Sequence, residues 1–355
     1  MGELTNKIFL DSGKAEELLR KGYLGVDLHV HSSASSDVVP SANVKPDAIV
    51  QKEKSLGLFP MLTDHDTMDG LLSLDDSIAP KVSGVEIKIK SHDIGHTIHT
   101  NIYGLNLAQF NDLESIASSG NIREFISYIK NTRLPYQYNH PFWSEPNEKL
   151  SISAVKKIAK EFPVIELNSG RIRSLNDSAY NMAKDLGKGI TSTTDSHIGE
   201  PGKAMTIAQG SDFFEFWDNI VHGNSYVMRY DMTISRVAHE IEARILQYMN
   251  CDISEFAKKD LKTGIRVADM MLEHLANDIY KKNRTLRKTV SFAAGNILGP
   301  SVAAALLIIP QNITAYEINR MRSANYNNLS ADHNDMRFEE ILPISPSSYA
   351  LNYTF

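Results

Sequence analysis

Tyr23-Leu-Gly-Val-Asp-Leu-His-Val-His31 reads as a β-strand running into a polar loop that holds Ser32, Ser33, Ser35 and Asp37. His29 and His31 are two residues apart, so a strand places both imidazoles on one face. Neighbouring imidazoles on one face can share a metal ion. Asp37 can swing back as an oxygen ligand or serve as a turn or cap residue.

Working outward, the same pattern recurs. Lys45 to Leu56 reads as a helix with Pro46 in its first turn and Gly57 past its end. Leu58 to Thr63 reads as a short strand running into Asp64-His-Asp-Thr67. There His65 would enter the same mouth, Asp64 or Asp66 could orient a histidine, and Asp66 suits the N-cap of a following helix. Lys81 to Ile87 and Thr97 to Tyr103 read as strands carrying Glu86 and His99. Asn121 to Thr132 reads as a helix, and Leu134 to Asn139 as a strand ending at His140, whose aromatic surroundings from Tyr136 to Phe142 suggest enclosure. Ser151 to Lys160 reads as a helix, Phe162 to Leu167 as a strand, Ser174 to Leu186 as a helix, and Gly189 to Thr194 as a strand ending in Asp195-Ser-His197. Strands alternating with helices predict an α/β fold with a mainly parallel sheet or barrel. Chemistry in such barrels collects at the C-terminal strand ends, where these histidines and carboxylates fall.

Composition narrows the function. The 355 residues allow one large or two modest domains. A single cysteine, Cys251, excludes an internal disulfide framework and a thiolate-rich zinc site. The formal charge of −6 argues against holding nucleic acid by a bulk basic field. The N-terminal residues show no basic segment followed by an apolar core, which predicts a cytoplasmic protein. Of twelve histidines, those from His29 to His140 are crowded into the first half, and only His239, His274 and His333 lie in the last third.

Each carboxylate in the series has a role to offer. Glu86 can bridge two cations, one on each oxygen. Glu166 and Asn168 sit at a strand end and could bind substrate or metal-bound water. Arg171 and Arg173 follow, two cationic residues that could hold an anionic substrate group. His92 and His96 lie in the turn before His99 and read as surface residues, with His96 an alternative to His99 as a ligand.

Together, Asp27-Leu-His-Val-His31, Thr63-Asp-His-Asp-Thr67, Gly84-Val-Glu86, Asn139-His-Pro141 and Thr194-Asp-Ser-His197 resemble the PHP (polymerase and histidinol phosphatase) family over roughly residues 20–225. The resemblance implies a distorted (β/α)7 barrel holding two or three divalent ions (Mn, Zn or Fe). It implies that His29, His31, Glu86 and Asp195 hold the first ion, that Glu86 bridges to a second held by His99 and His140, and that Asp37, His65 and His197 hold a third. Ile98-His99 with Tyr103-Gly-Leu-Asn106 is similar to the branch of nucleotide phosphatases and 5′-to-3′ exonucleases on short RNA. Two positions depart from the pattern: Thr-Thr-Asp-Ser-His stands where Gly-Ser-Asp is common before the last histidine, and Asp37 stands where some members have histidine. The implied activity is hydrolysis of a phosphate ester by metal-activated hydroxide, with Asp195, His197 and His140 as catalytic candidates and His197 or a metal-bound water as the acid. The expected substrate is a small phosphorylated metabolite or nucleotide, with short nucleic acid as the alternative. Amidohydrolases also begin with His-x-His on a barrel, but the paired Asp195-Ser-His197 fits them less well. A non-catalytic helical module with a vestigial barrel predicts broken ligands, whereas every motif position is filled.

Beyond residue 230 the texture changes. The segmentation is 1–19 as an N-terminal helix or extension, 20–225 as the metallophosphoesterase unit, 230–310 as helical, and 311–355 as a largely irregular tail. Ile234, Val237, Ile241, Ile245 and Met249 step as an amphipathic helix. Leu261, Ile265, Ala268, Leu272, Leu275 and Ile279 make a heptad-like stripe that suits internal packing or a homodimer. Thr289 to Pro310 carries no charge and reads as a buried helix, its alternative being a membrane anchor.

Overall fold

The computed structural model describes residues 8–91, 93–145, 148–250, 285 and 309–327. Helix α1 (Ser12–Arg20) precedes β1 (Leu24–Val26), α2 (Pro46–Ser55) and α3 (Asp69–Leu72). A hairpin of β2 (Gly84–Ser91) and β3 (His96–Tyr103) leads to α4 (Leu107–Ser119) and α5 (Ile122–Thr132). Then β4 (Tyr136–Tyr138), α6 (Ile152–Ala159), β5 (Val164–Asn168), α7 (Arg173–Asp185) and β6 (Gly189–Thr193) alternate. β7 (Met205–Ala208), α8 (Phe213–Val221) and β8 (Ser225–Met228) complete this part, and α9 (Ile234–Asn250) and α10 (Ile309–Asn327) follow.

The fold is mixed α/β, with helices set against a five-stranded sheet of order β2-β3-β4-β5-β6 and a three-stranded sheet of order β1-β7-β8. The expectation of a mainly parallel sheet is corrected: among the named strands only β4–β5 and β5–β6 pair in parallel. β2 and β3 are joined by residues 92–95 alone, too few for the crossover that a parallel pair needs, so they form an antiparallel hairpin.

The opening stretch pairs regularly only over Leu24–Val26, against Thr206–Ala208. From Asp27 onward, side chains supply part of the bonding that a regular ladder would give the backbone. Leu28 O accepts from Asn101 Nδ2 (2.9 Å) and Tyr103 Oη (2.8 Å), and Val30 N donates to Thr63 Oγ1 (3.0 Å). Asp27 accepts from Thr194 N (3.0 Å) and Gly202 N (2.8 Å), which ties this stretch to the end of β6. The backbone stays extended beside the strand end: Asp195 N donates to His29 O (2.8 Å) and His31 N to Ser196 O (3.1 Å).

The segment read as a strand at 58–63 makes no named strand, but it runs along the same stretch. Phe59 N donates to Gly25 O and Thr63 N to Val30 O, both at 2.9 Å. It then meets β2 through Glu86 N to Asp64 O (3.1 Å) and Asp66 N to Glu86 O (2.8 Å). Gly84 allows this approach, since a Cβ there would lie 2.5 Å from Leu62 O.

Helices form where caps and apolar spacing agree. Asn121 accepts from Glu124 N to start α5, whose Ile122, Phe125, Ile126 and Ile129 are buried. Ser151 caps α6 in the same way, with Ile152, Val155 and Ile158 facing inward. Asp66 does not cap α3, whose N-cap is Met68. Asp66 instead turns the chain at φ 49° and accepts from Lys88 N (2.9 Å).

The amphipathic stretch from Ile234 is helical, as its spacing predicts. The tail from 311 is not irregular throughout, because α10 runs to Asn327. The heptad-like stripe at 261–279, nearly all of the apolar stretch at 289–310, and residues 328–355 lie outside the described residues. Among those described, no helix is long and apolar enough to cross a membrane.

Candidate metal centre

The structure brings together all nine residues that the resemblance implies as ligands. Glu86, fully buried on β2, sits at the middle. Its Oε2 faces His29 Nε2 (2.9 Å), His65 Nδ1 (3.0 Å) and His31 Nε2 (3.3 Å). Its Oε1 faces His99 Nδ1 (3.0 Å) and His140 Nε2 (3.4 Å) and accepts from Asn139 Nδ2 (2.9 Å). Asp195 Oδ1 lies 3.3 Å from His29 Nε2 and 3.2 Å from His31 Nε2. Asp37 Oδ2 lies 3.0 Å from His197 Nε2 and 3.4 Å from His65 Nε2. In the triads His31/His65/His197, His29/His31/Glu86 and His65/Glu86/His99, one donor atom per residue lies within 4.8 Å of the others.

Local structure aims these groups. His140 and Asp195 hold left-handed backbone at φ 26° and 53°, as does Asp66 beside His65. Non-glycine residues adopt that region at a cost, and it concentrates at functional turns.

Three histidines share one orienting device: Nδ1–H points to an acceptor and Nε2 points inward. His29 Nδ1 meets Glu166 Oε1 (2.7 Å), His31 Nδ1 meets Ser35 Oγ (3.1 Å), and His197 Nδ1 meets the Asp195 carbonyl (2.8 Å). Ser35 Oγ in turn donates to Asp64 Oδ1 (3.0 Å), so Asp64 orients His31 through one hydroxyl. His99 differs, since its Nε2 lies 3.2 Å from Glu145 Oε1. The Trp143 ring stands edge-on to His99 and His140, at 5.0 Å and 5.1 Å between centroids.

The electrostatics are those of a site built for cations. Burial alone would raise the carboxyls of Glu86, Asp195 and Asp37, yet neighbouring imidazoles hold all three well below the usual carboxylate range. Burial opposes charge on His31 and His99, but Asp195 and Glu86 around the first, and Glu86 and Glu145 around the second, lift each to about 9. Burial, together with His99 and Arg171, pushes His140 down to about 4. Buried and half-buried carboxylates this close together remain ionised only where positive charge lies among them, from protonated imidazoles or from metal ions. Two buried atoms, His65 Nδ1 and Asp37 Oδ1, make no hydrogen bond among the described residues. With nitrogen and oxygen donors and no thiolate, the set fits zinc, manganese or iron.

Other sequence candidates separate. Asn168 does not face outward: Nδ2 donates to Glu166 Oε2 and Asp195 Oδ2, both at 3.1 Å, and Oδ1 accepts from Gly170 N (2.7 Å). It braces Asp195 instead of offering itself to substrate. Glu166 is likewise taken up by His29, by His140 N (2.6 Å) and by Thr193 Oγ1 (2.6 Å). Arg171 is half-buried, lies 5.4 Å from the Trp143 centroid and donates from Nη1 to Gly170 O (3.0 Å), while its buried Nε makes no hydrogen bond among the described residues. Arg173 is 81% exposed and faces Asp177 (3.9 Å), away from the cluster. His96 is buried rather than on the surface, and the odd spacing turns it to the strand face opposite His99. Glu145 and Trp143 are the residues that motif spacing missed; the signal for them was their place in the aromatic run just after His140.

No family model matches this chain, and no curated protein matches it. Among solved structures, it is similar to a two-domain protein from Bacteroides vulgatus that contains a predicted PHP-like metal-dependent phosphoesterase. The two are 18% identical over 59% of this chain, with a TM-score of 0.42. The chain spans 66% of that protein, just under two thirds of its length. PsfC from Pseudomonas syringae is 14% identical over 64% of this chain and 97% of its own, with a TM-score of 0.43. The lesion-specific endonuclease PfuEndoQ from Pyrococcus furiosus is 15% identical over 58% of each chain, with a TM-score of 0.39. Likenesses this distant assign no function; the donor geometry carries the reading that follows.

Proposed function

We propose that this protein is a metal-dependent phosphoesterase of the PHP kind, acting on a small phosphorylated metabolite or nucleotide. The observation that carries the proposal is the split carboxylate of Glu86. One oxygen faces His29, His31 and His65, while the other faces His99 and His140. A carboxylate so placed suits bridging two cations, with His29, His31 and Asp195 on one side and His99 and His140 on the other. Asp37, His65 and His197 form the third donor group. The distorted (β/α)7 barrel remains part of the proposal; the bonds that carry residues 59–66 between the stretch after β1 and β2 support it.

Divalent cations held by His29, His31, Glu86, Asp195, His99 and His140 would offset phosphoryl charge and lower the pKa of a bound water. The chain does the rest. Glu166, Ser35 and the Asp195 carbonyl fix three imidazoles with Nε2 inward. Trp143 covers His99 and His140 and keeps water from that side. Arg171, whose Nε makes no hydrogen bond among the described residues, neutralises a phosphoryl oxygen that does not react. His197, 13% exposed and facing the more open Asp37, either holds the third cation or passes a proton from Nε2 to the leaving oxygen. The net charge of −6 favours a small substrate over a polyanion.

The test compares hydrolysis of a generic phosphomonoester and a generic phosphodiester by manganese-loaded protein, with His29→Ala beside it. Monoester cleavage that the variant loses supports the proposal. Cleavage confined to the diester moves the reading to a nuclease. Cleavage of neither with manganese, zinc or iron contradicts it.

A further inference from the structure

We propose that Gln311 of α10 is a positioning residue that holds Arg171 against the metal centre, so that the C-terminal helices complete the substrate site. The inference rests on the reading of Arg171 as the phosphate clamp.

Arg171 lies on the turn between β5 and α7, and Gln311 grips the backbone on both sides of it. Gln311 Oε1 accepts from Ile172 N (2.8 Å), and Nε2 donates to Gly170 O (3.2 Å). A primary amide is suited to this, since it offers an acceptor and donors from one planar group. Gln311 is 9% exposed, so both bonds form out of water, where losing a partner costs most.

The chain between β8 and α9 binds the same turn. Met232 N donates to Arg171 O (2.9 Å), and Asp231 Oδ1 accepts from Asn176 Nδ2 (2.7 Å), whose own oxygen accepts from Asn168 N (3.0 Å). Gly170 O, Arg171 O and Ile172 N are thus held by residues beyond 230, while Arg171 N donates to Asn168 O (3.0 Å). The Arg171 guanidinium donates from Nη1 back to Gly170 O (3.0 Å) and lies over Trp143, which stands against His99 and His140. Burial pushes the guanidinium below its usual range, while the charges of Asp195, Glu166, Glu240 and Glu86 oppose that. Glu240 belongs to α9, so the C-terminal part also contributes to the field at the clamp. A flexible arginine loses much side-chain entropy when it orders on a ligand, and a fixed backbone lowers that cost.

The experiment measures inorganic phosphate binding by calorimetry to the manganese-loaded full chain, for the native protein, Arg171→Ala, Gln311→Ala and the double variant. Manganese content is measured on each sample. Arg171→Ala and Gln311→Ala are each expected to weaken phosphate binding roughly tenfold. The double variant is expected to bind no more weakly than Arg171→Ala, with manganese content unchanged throughout. Amide exchange at Ile172 is expected to speed up in Gln311→Ala and not in Arg171→Ala. Native-like phosphate binding by Arg171→Ala overturns the clamp reading itself. A weakened Arg171→Ala beside a native-like Gln311→Ala, or losses that multiply in the double variant, overturns the role of Gln311 alone. Should Gln311→Ala fail to fold, Gln311→Glu keeps the acceptor for Ile172 N and removes the donor to Gly170 O. Its loss of phosphate binding must then vanish in the Arg171→Ala background, and a loss that persists there refutes the proposal.

Discussion

Glu166 makes no outward contact, yet His29 Nδ1, His140 N, Thr193 Oγ1 and Asn168 Nδ2 all converge on it, at 2.6–3.1 Å. A glutamine at this position has nearly the same shape but only one oxygen to accept with, so it must turn an amide N–H toward a donor. Glu166→Gln is therefore expected to leave the protein folded and weaken metal affinity about 10–100-fold, as loss of a carboxylate behind a ligating histidine typically does. Chelator competition measures this, and unchanged affinity contradicts the orienting role. The ligands themselves were legible because period two and strand-end position are local signals: His29 with His31, and Asp195 with His197, reveal themselves within three residues. The roles of Glu166, Asn168 and Glu145 were not legible, because what a buried carboxylate or amide touches is decided across the sheet. Asn168 and Glu166 read as groups for substrate or metal-bound water, whereas their partners lie within the fold.

At the scale of elements, α2 carries a cost. Glu53, on the buried face of that helix, accepts only from Met61 N (3.2 Å), and its other oxygen makes no hydrogen bond among the described residues. Burial first, then the nearby charge of Asp27, raise its carboxyl well above the ordinary value of 4.5. A raised carboxyl keeps its proton in the fold at a pH where the unfolded chain has lost it. The fold is thus penalised progressively as pH rises above about 4.5, up to the folded-state value. Glu53→Gln removes that penalty while keeping an acceptor for Met61 N. It is expected to stabilise the protein by about 1–3 kcal/mol at pH 8 and by little at pH 4. Thermal unfolding at the two pH values checks this, and a destabilised variant at pH 8 contradicts it. The elements were legible where capping and apolar spacing agree, as at Ser151 and Ile152 to Ile158. The mainly parallel sheet was expected from alternation alone, although the four residues between β2 and β3 leave no room for a crossover helix. The stretch after Val26 looked like more ladder than exists, because its partners are side chains of Asn101, Tyr103 and Thr63, distant in sequence.

For the whole molecule, the decisive feature is that β2, β3, the turn after β4, the end of β6 and the loops after β1 deliver donors to one point, with Glu86 between two groups of imidazoles. The C-terminal helices then close on the turn that carries Arg171. That docking was illegible in the sequence, since the spacing of Ile234 to Met249 reports an apolar face without naming what it covers, and Gln311 lies 139 residues from Ile172. The most direct test of the central claim is the number of divalent ions held per chain. It is read by equilibrium dialysis with manganese followed by elemental analysis, on the native protein and on Glu86→Gln. The expected result is two or three ions in the native protein and at least one fewer in the variant. A native protein that retains none, or a count that Glu86→Gln leaves unchanged, contradicts the assignment of this cluster as a metal centre bridged by Glu86.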